Sequence, residues 1–257
     1  MSKYQQHHRQ RRYTDTKAKH DDFDRHKQDG KRIVKEKFKQ EKKYNIELVG
    51  KNKNQIKLLE YLKTKKLIIV RGNAGTGKTY LSTGYMCKEL MNGFTDKLYI
   101  TRSPIPVSDS KRSLGYFPGD INDKIDPWLA PVLGYMEDFL GKGTYECAIK
   151  DNKINKIPFE TMRGRNFDNC ICLVDEAQNL NLSELMCLTT RLAENGKLIL
   201  CGDSRQNDLK NHDFDKFIEV LMKYDLNEVG IVTFTYKDCL RGNLCFELLR
   251  IFEEENW

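Results

Sequence analysis

The stretch LIIVRGNAGTGKTY, residues 67–80, joins a short apolar run to a glycine-rich turn, and it decides the fold. The turn has the spacing G-x-x-x-x-G-K-[ST], which forms a phosphate-binding loop between a strand and a helix. Glycines let successive backbone amides point at an anion, and the following helix adds the positive end of its dipole. We therefore predict a nucleotide site whose cofactor-binding residues are Gly72, Asn73, Ala74, Gly75, Thr76, Gly77, Lys78, Thr79 and Tyr80.

After residue 45, short apolar segments alternate with segments of helical periodicity. Strands that are apolar along their whole length are typical of a parallel sheet covered by helices on both faces. The pattern predicts an α/β fold, in which ligands bind beyond the carboxyl ends of the strands. The predicted strands are 66–71, 97–102, 170–176, 197–203 and 230–236, and the predicted helices are 79–93, 124–141, 180–196, 213–224 and 243–255.

Three polar positions at these strand ends complete a candidate hydrolytic site with Lys78, which would contact the β- and γ-phosphates. Asp175 ends an apolar strand and, with the Thr79 hydroxyl, is the predicted ligand of Mg²⁺. Glu176 is placed to accept a proton from an attacking water. Gln206, in CGDSRQNDL, is predicted to touch the γ-phosphate or to orient that water.

Two residues outside these segments have candidate roles. Gln55 lies upstream of the loop, and a glutamine amide offers both a donor and an acceptor to adenine; the alternative is a solvated helix residue. Arg241 follows the last strand and is a candidate arginine finger, acting in cis or from a neighbouring subunit; the alternative is a surface arginine.

Composition favours a water-soluble protein. Charged residues make up 32% of the 257 residues, and the mean hydropathy is −0.67. No apolar run approaches the ~20 residues that cross a bilayer, and no secretory signal opens the chain, so we expect a cytoplasmic protein without membrane contact. The eight cysteines form no C-x-x-C pair, and Cys170 and Cys172 read as buried small side chains in a reducing compartment.

Basic charge is concentrated at the N-terminus. Residues 1–43 contain 15 Lys and Arg against 7 Asp and Glu, a net +8, whereas the remainder has 29 against 30. We therefore predict a basic flexible arm, 1–45, ahead of a single domain, 46–257. The arm is either a tether for nucleic acid, acting through counterion release, or a solubilising tail.

Residues 54–254 resemble the PhoH family of P-loop ATPases. The most specific segments are LYITRSPIPVSDSKRSLGYFPGDINDKIDPWLAPVLGYMEDFLG, residues 98–141, and IPFETMRGRNFDNCICLVDEAQNL, residues 157–180. The resemblance implies one RecA-like P-loop NTPase lobe, similar to a motor lobe of superfamily-one helicases. It also implies ATP and Mg²⁺ as cofactors, RNA or single-stranded DNA as partner, and a homo-oligomeric ring, with a hexamer as one form. It would place Arg102, Arg163 and Arg165 near phosphates or nucleic acid.

The resemblance has a departure and two competing interpretations. Gly-Asn follows Arg241 where the family more often has a basic or small residue and proline, which bears on the arginine finger. The basic segment is too short for the PIN nuclease domain of some relatives, so no intrinsic nuclease activity is expected.

One alternative is a nucleotide-gated nucleic-acid binder with little turnover. The other is a thymidine-kinase-type nucleoside kinase, although its usual zinc-binding C-x-x-C is absent.

Overall fold

Strand β1, Leu67–Gly72, pairs in parallel with two strands from the C-terminal half of the chain, β5 (Lys197–Gly202) and β6 (Val229–Phe234). These coordinates are a computed structural model, which describes residues 45–103, 121–207 and 212–255. Within these ranges the six strands form one parallel sheet, in the order β3-β2-β4-β5-β1-β6. The predicted α/β fold is confirmed. The remaining strands are β2 (Lys97–Arg102), β3 (Ile154–Lys156) and β4 (Cys170–Asp175).

Successive residues of the sheet belong to two different hydrophobic cores. In β1, Ile68 and Val70 face one core, and Leu67 and Ile69 face the other. Both faces are covered, which explains why this strand is apolar without alternation. The helices of the first core are α1 (Lys53–Thr64), α2 (Lys78–Met91), α3 (Ile121–Leu140) and α4 (Lys142–Lys150); those of the second are α5 (Leu182–Thr189) and α6 (Asp213–Tyr224).

Helix α7, Asn243–Glu254, differs from the others because none of its residues is fully buried. It follows β6 through a short 3-10 turn, Tyr236–Asp238. The helix therefore lies on the surface of the domain, where the Phe246 ring contacts the Tyr236 ring at a centroid distance of 5.5 Å.

Several element boundaries differ from the predicted ones. Helix α3 begins at Ile121 and carries Pro127 inside it, whereas the predicted helical segment is 124–141. Helix α5 ends at Thr189 rather than near residue 196, because the chain then runs beside Phe167, where Ala193 N–H donates to the Phe167 carbonyl. Helix α4 and the short edge strand β3 were not predicted.

Three composition-based predictions concern the cysteines, membrane contact and the basic arm. The predicted burial of Cys170 and Cys172 is confirmed, and burial raises the pKa of the Cys170 thiol to about 12. Across the described ranges, every helix is too short or too polar to cross a bilayer. The predicted basic arm lies outside the described residues except for Asn45.

Candidate active site

The parallel order brings the carboxyl ends of four neighbouring strands together at one edge. Arg102 at the end of β2 is in register with Asp175 at the end of β4, and Arg71 of β1 is in register with Gly202 of β5. A cavity of about 670 Å³ opens at this edge, within the range of small-molecule sites. Its walls include Gln55, Ala74, Gly75, Thr76, Gly77, Lys78, Thr79, Tyr80, Arg102, Tyr135, Asp175, Glu176, Asp203, Gln206, Leu240 and Arg241.

Two glycines of the phosphate loop are favoured by its backbone conformation. Gly72 has φ 125°, and a Cβ there would lie 1.9 Å from the Phe234 carbonyl oxygen. Gly77 has φ 87°, and a Cβ there would lie 2.9 Å from the Gln55 side-chain nitrogen. Side chains disfavour both φ values, and at Gly72 a Cβ would also collide with backbone, so the loop conformation favours glycine at both positions and requires it at position 72.

Lys78 begins α2 and points back into the loop. Its Nζ donates hydrogen bonds to the carbonyl of Gly72 and, at 2.7 Å, to that of Asn73. Burial lowers the pKa of Lys78, while the nearby Asp203 carboxylate opposes this shift. Among the described residues, the ammonium is therefore hydrogen-bonded to neutral carbonyls and not to a carboxylate. Its positive charge is available to an incoming phosphate.

Thr79 and Asp175 lie together, as a shared metal site requires. The Thr79 hydroxyl donates to the Asp175 carboxylate at 3.2 Å. Burial and the neighbouring charge of Glu176 raise the pKa of Asp175, whereas Arg102 and the Thr79 hydrogen bond lower it. A cation bound between them would offset the free-energy cost of burying this ionised carboxylate.

Glu176 adopts a left-handed backbone conformation, with φ 54°, directly after β4. Such φ values are uncommon for non-glycine residues and occur often at functional sites. Both carboxylate oxygens are engaged, Oε1 by Arg102 at 3.1 Å and Oε2 by the Gln178 amide at 2.6 Å. The candidate base is thus held in a defined position by two donors.

Gln178 is a site residue that sequence reasoning missed. It is buried, and besides Glu176 its side chain contacts Asp203 N–H at 3.0 Å and the Gln206 carbonyl at 3.3 Å. It therefore connects the acidic pair to the loop that carries Gln206. Its only sequence signal was its place two residues after Glu176, in DEAQ.

Gln55 lies against the phosphate loop rather than free in the cavity. Its side-chain nitrogen donates to the Thr76 carbonyl at 2.8 Å, and its oxygen accepts from Lys51 N–H at 2.8 Å. Both polar ends of the amide are therefore occupied by the protein. Recognition of adenine by Gln55 stays a prediction, and it would require these bonds to be exchanged.

Arg241 lies beside the phosphate loop of the same chain. Its side chain packs against Gly75, and the neighbouring Leu240 N–H donates to the Gly75 carbonyl at 3.0 Å.

Of the predicted loop residues, Tyr80 lines the cavity and contacts the Tyr135 ring at a centroid distance of 5.3 Å. The Asn73 side chain instead turns towards α7.

The three candidate nucleic-acid arginines separate in space. Arg102 lies at the acidic pair, 3.1 Å from Glu176, and donates to the Trp128 carbonyl at 3.0 Å. Arg165 is exposed and stacks over Tyr99, at 5.6 Å from the ring centroid, away from the cavity walls. The side chain of Arg163 lies outside what the structure describes.

The family model described as PhoH-like protein matches residues 47–253 of this chain. The chain belongs to the PhoH family. The resemblance stated from the sequence is therefore confirmed. The chain is 33% identical to Protein PhoH of Escherichia coli over 208 residues, covering 80% of this chain and 58% of that protein. It is 30% identical to the PhoH-like protein of Bacillus subtilis, covering 80% and 64% respectively. The PhoH-family chain thus spans about three-fifths of the length of these relatives.

Solved structures support the fold of this PhoH-family protein. The large terminase of a thermophilic bacteriophage has a TM-score of 0.52 at 18% identity, covering 79% of this chain and 51% of that one. The large terminase of bacteriophage HK97 has a TM-score of 0.51 at 10% identity, covering 81% and 47%. At these identities the likeness concerns the fold alone.

Proposed function

We propose that this PhoH-family protein binds ATP with Mg²⁺ and hydrolyses it. One observation carries the proposal: a single cavity holds the phosphate loop with Lys78, the Thr79–Asp175 contact and the Glu176 carboxylate. Membership of the PhoH family supports the same conclusion. It gives the thymidine-kinase alternative no support.

Mg²⁺ would be held by Thr79 and Asp175 together with phosphate oxygens of the nucleotide. Among the described residues, no cluster of three or more His, Cys, Asp or Glu side chains could bind a metal ion alone. This donor set, one hydroxyl and one buried carboxylate, fits a cation that arrives with its own phosphate ligands. When bound, Mg²⁺ neutralises negative charge on the phosphates.

The chain's own residues would divide the reaction between them. The loop amides and Lys78 bind the phosphates, which frees the Lys78 ammonium from its present carbonyl partners. Glu176 accepts the proton of the attacking water, and Gln206 positions that water or the γ-phosphate. Arg241, which lies beside Gly75, stabilises charge on the phosphoryl group in cis.

The proposal extends to a polynucleotide and to an oligomer. We infer that RNA or single-stranded DNA stimulates turnover, partly through the basic residues before the domain, which carry a net +8. The described residues contain one P-loop lobe. In strand separation, such lobes would act together in a homo-oligomeric ring.

Phosphate release with and without single-stranded RNA tests the proposal. Lys78→Ala should lose ATP affinity and turnover, because its ammonium lies inside the phosphate loop, where it donates to the Gly72 and Asn73 carbonyls. Glu176→Gln should bind ATP but lose turnover by roughly 10²–10⁴-fold, as for a positioned base. The controls Lys150→Ala and Glu146→Gln change exposed residues of α4 and should behave as wild type. Absence of ATP binding by the folded wild-type protein would refute the proposal.

A second candidate is a nucleotide-gated nucleic-acid binder with slow turnover. It is favoured by the two donors on Glu176, Arg102 and Gln178, which compete with a water for its oxygens. If wild-type turnover stays negligible with every polynucleotide while ATP still binds, this candidate replaces the ATPase. Stimulated phosphate release would exclude it.

A further inference from the structure

Glu253, in the last turn of α7, contacts the phosphate loop and two other segments of the chain. Its Oε2 atom accepts a hydrogen bond from the Asn73 side chain at 3.1 Å and from Tyr236 N–H at 3.2 Å. The guanidinium of Arg205 lies 3.6 Å from the same oxygen. A single carboxylate oxygen thus contacts residues that are up to 180 positions away in the sequence.

Two of these partners sit directly beside groups of the proposed reaction. Asn73 is buried inside the phosphate loop, and its carbonyl accepts from Lys78. Arg205 is adjacent to Gln206, within the 3-10 turn Ser204–Gln206. Glu253 therefore connects the loop that holds phosphate with the turn that carries the γ-phosphate candidate.

The same C-terminal segment touches the phosphate loop at a second point. Leu240 N–H donates to the Gly75 carbonyl, and the Arg241 side chain packs on Gly75. The loop is thus in contact with α7 at Asn73 and with the connection between β6 and α7 at Gly75. None of the residues of α7 is fully buried, and the helix contacts the phosphate loop through the hydrogen bond between Glu253 and Asn73.

We propose that Glu253 is a positioning residue of the nucleotide site. It holds Asn73 and Arg205 at a fixed separation, so that the phosphate loop and Gln206 can contact the same bound triphosphate. This inference rests on the proposed ATPase function but assigns a role to a residue outside the cavity walls. A purely structural role would instead leave nucleotide affinity unchanged and only lower the stability of the fold.

Two substitutions separate the contacts of Glu253. Glu253→Gln keeps an oxygen for Asn73 and Tyr236 but removes the charge that faces Arg205. Glu253→Ala removes all three contacts and leaves the Asn73 amide without its partner. The neighbouring Glu254→Ala is the matched control, because Glu254 is exposed and pairs only with Arg250 on the same helix among the contacts that the structure describes.

The measurements are ATP affinity by calorimetry, kcat and KM for phosphate release, and amide hydrogen exchange of residues 71–77 without nucleotide. For Glu253→Ala we expect roughly tenfold weaker ATP binding, the effect of losing about one charge-assisted hydrogen bond, and several-fold faster exchange in the loop. For Glu253→Gln we expect affinity within about twofold of wild type and a several-fold lower kcat. Glu254→Ala should match wild type in all of them.

The outcomes are distinguishable from failure of the proposed function. If the wild-type protein neither binds nor hydrolyses ATP, the ATPase proposal fails, and loop exchange still reports on Glu253. If Glu253→Ala lowers the melting temperature but leaves ATP affinity and loop exchange at wild-type values, Glu253 is structural and the inference is overturned. Equal loss of kcat in the Glu253→Gln and Glu254→Ala variants would likewise overturn it.

Discussion

At the scale of single residues, Asp175 and Lys78 bring opposite charges into a largely buried site. Burial raises the pKa of the carboxyl and lowers that of the ammonium, so each is shifted towards its neutral form. The ionised groups are thus destabilised in the folded protein relative to water. A magnesium–triphosphate complex would bring a cation to Asp175 and an anion to Lys78, which links binding to relief of this cost.

Asp175→Asn should therefore stabilise the protein in the absence of ligand. The folded-state pKa of Asp175 lies above the ordinary value of 3.8. The free-energy cost of burying the ionised carboxylate is therefore absent below pH 3.8, and it is complete once the pH exceeds the raised pKa. At pH 7, without nucleotide or metal, we expect a higher melting temperature than wild type. The difference should shrink as pH falls towards 3.8, and binding of ATP with Mg²⁺ should be lost.

Thermal unfolding between pH 4 and pH 8 measures this effect. Asp138→Asn provides the control, because Asp138 is an exposed carboxylate of α3 and its removal should change stability little at any pH. A melting temperature of Asp175→Asn at or below wild type at pH 7 would contradict the prediction. It would mean that the contact with Arg102 outweighs the burial of the carboxylate.

The residues predicted from sequence share a property that the missed ones lack. Lys78, Thr79 and the acidic pair occupy fixed positions relative to a strand end, so local spacing was enough to find them. Gln178 and Glu253 also contact residues of distant segments: Gln178 contacts Asp203, 25 positions away, and Glu253 contacts Asn73, 180 positions away. Such roles depend on which strands become neighbours, and one sequence does not contain that information locally.

At the scale of elements, the junction of β1 with the phosphate loop depends on Gly72. Gly72→Ala would place a Cβ 1.9 Å from the Phe234 carbonyl oxygen, at a φ of 125°. The β1–β6 pairing, in which Gly72 is in register with Phe234, would have to open. We expect a loss of about 2–4 kcal/mol in the free energy of unfolding, measured by urea denaturation.

Gly143→Ala is the matched control for this substitution. Gly143 lies inside α4, and a Cβ there would meet nothing within 4 Å. Alanine is the better helix former, so this variant should gain about 0.5–1 kcal/mol. A stability of Gly72→Ala close to that of wild type would show that the strand pairing adapts, contrary to the prediction.

Element types were predictable where the apolar pattern was long, and the exceptions have physical causes. Strand β2 and helix α6 have the predicted bounds, 97–102 and 213–224, because the apolar pattern of each spans the whole element. Strand β3 has three residues, too few to show a period, and it exists through its pairing with β2. Helix α4 has only nine residues and one buried side chain, Ala148, so few apolar positions mark it in the sequence.

At the scale of the whole molecule, the sequence predicted the architecture but not the arrangement of its strands. A parallel sheet with sites at the carboxyl ends followed from apolar strands alternating with helices. The order β3-β2-β4-β5-β1-β6 did not follow, because it is set by how each crossover packs on the sheet. That order is what places Arg102 beside Asp175 and brings C-terminal residues to the phosphate loop.

The uneven charge of the chain leads to a prediction about polynucleotide binding. If the basic N-terminal residues neutralise phosphates, replacing Arg9, Arg11 and Arg12 by Gln should weaken binding to single-stranded RNA. The slope of log K against log salt should also fall, by up to about 2, since each neutralised phosphate of a single strand contributes about 0.7. ATP affinity should stay unchanged, because the cavity walls belong to residues 47–241.

The effect of net charge on RNA binding must be distinguished from the effect of where that charge lies in the chain. The variant Lys142→Gln, Lys150→Gln, Lys153→Gln removes three exposed charges in and just after α4 and so has the same net charge as the arginine variant. A tether predicts a reduced salt slope for the arginine variant only, measured by fluorescence anisotropy with labelled RNA at several salt concentrations. Equal slopes for both variants would show that the whole surface attracts the polymer. An unchanged slope in the arginine variant would make the basic segment a solubilising tail, because counterion release would then occur elsewhere.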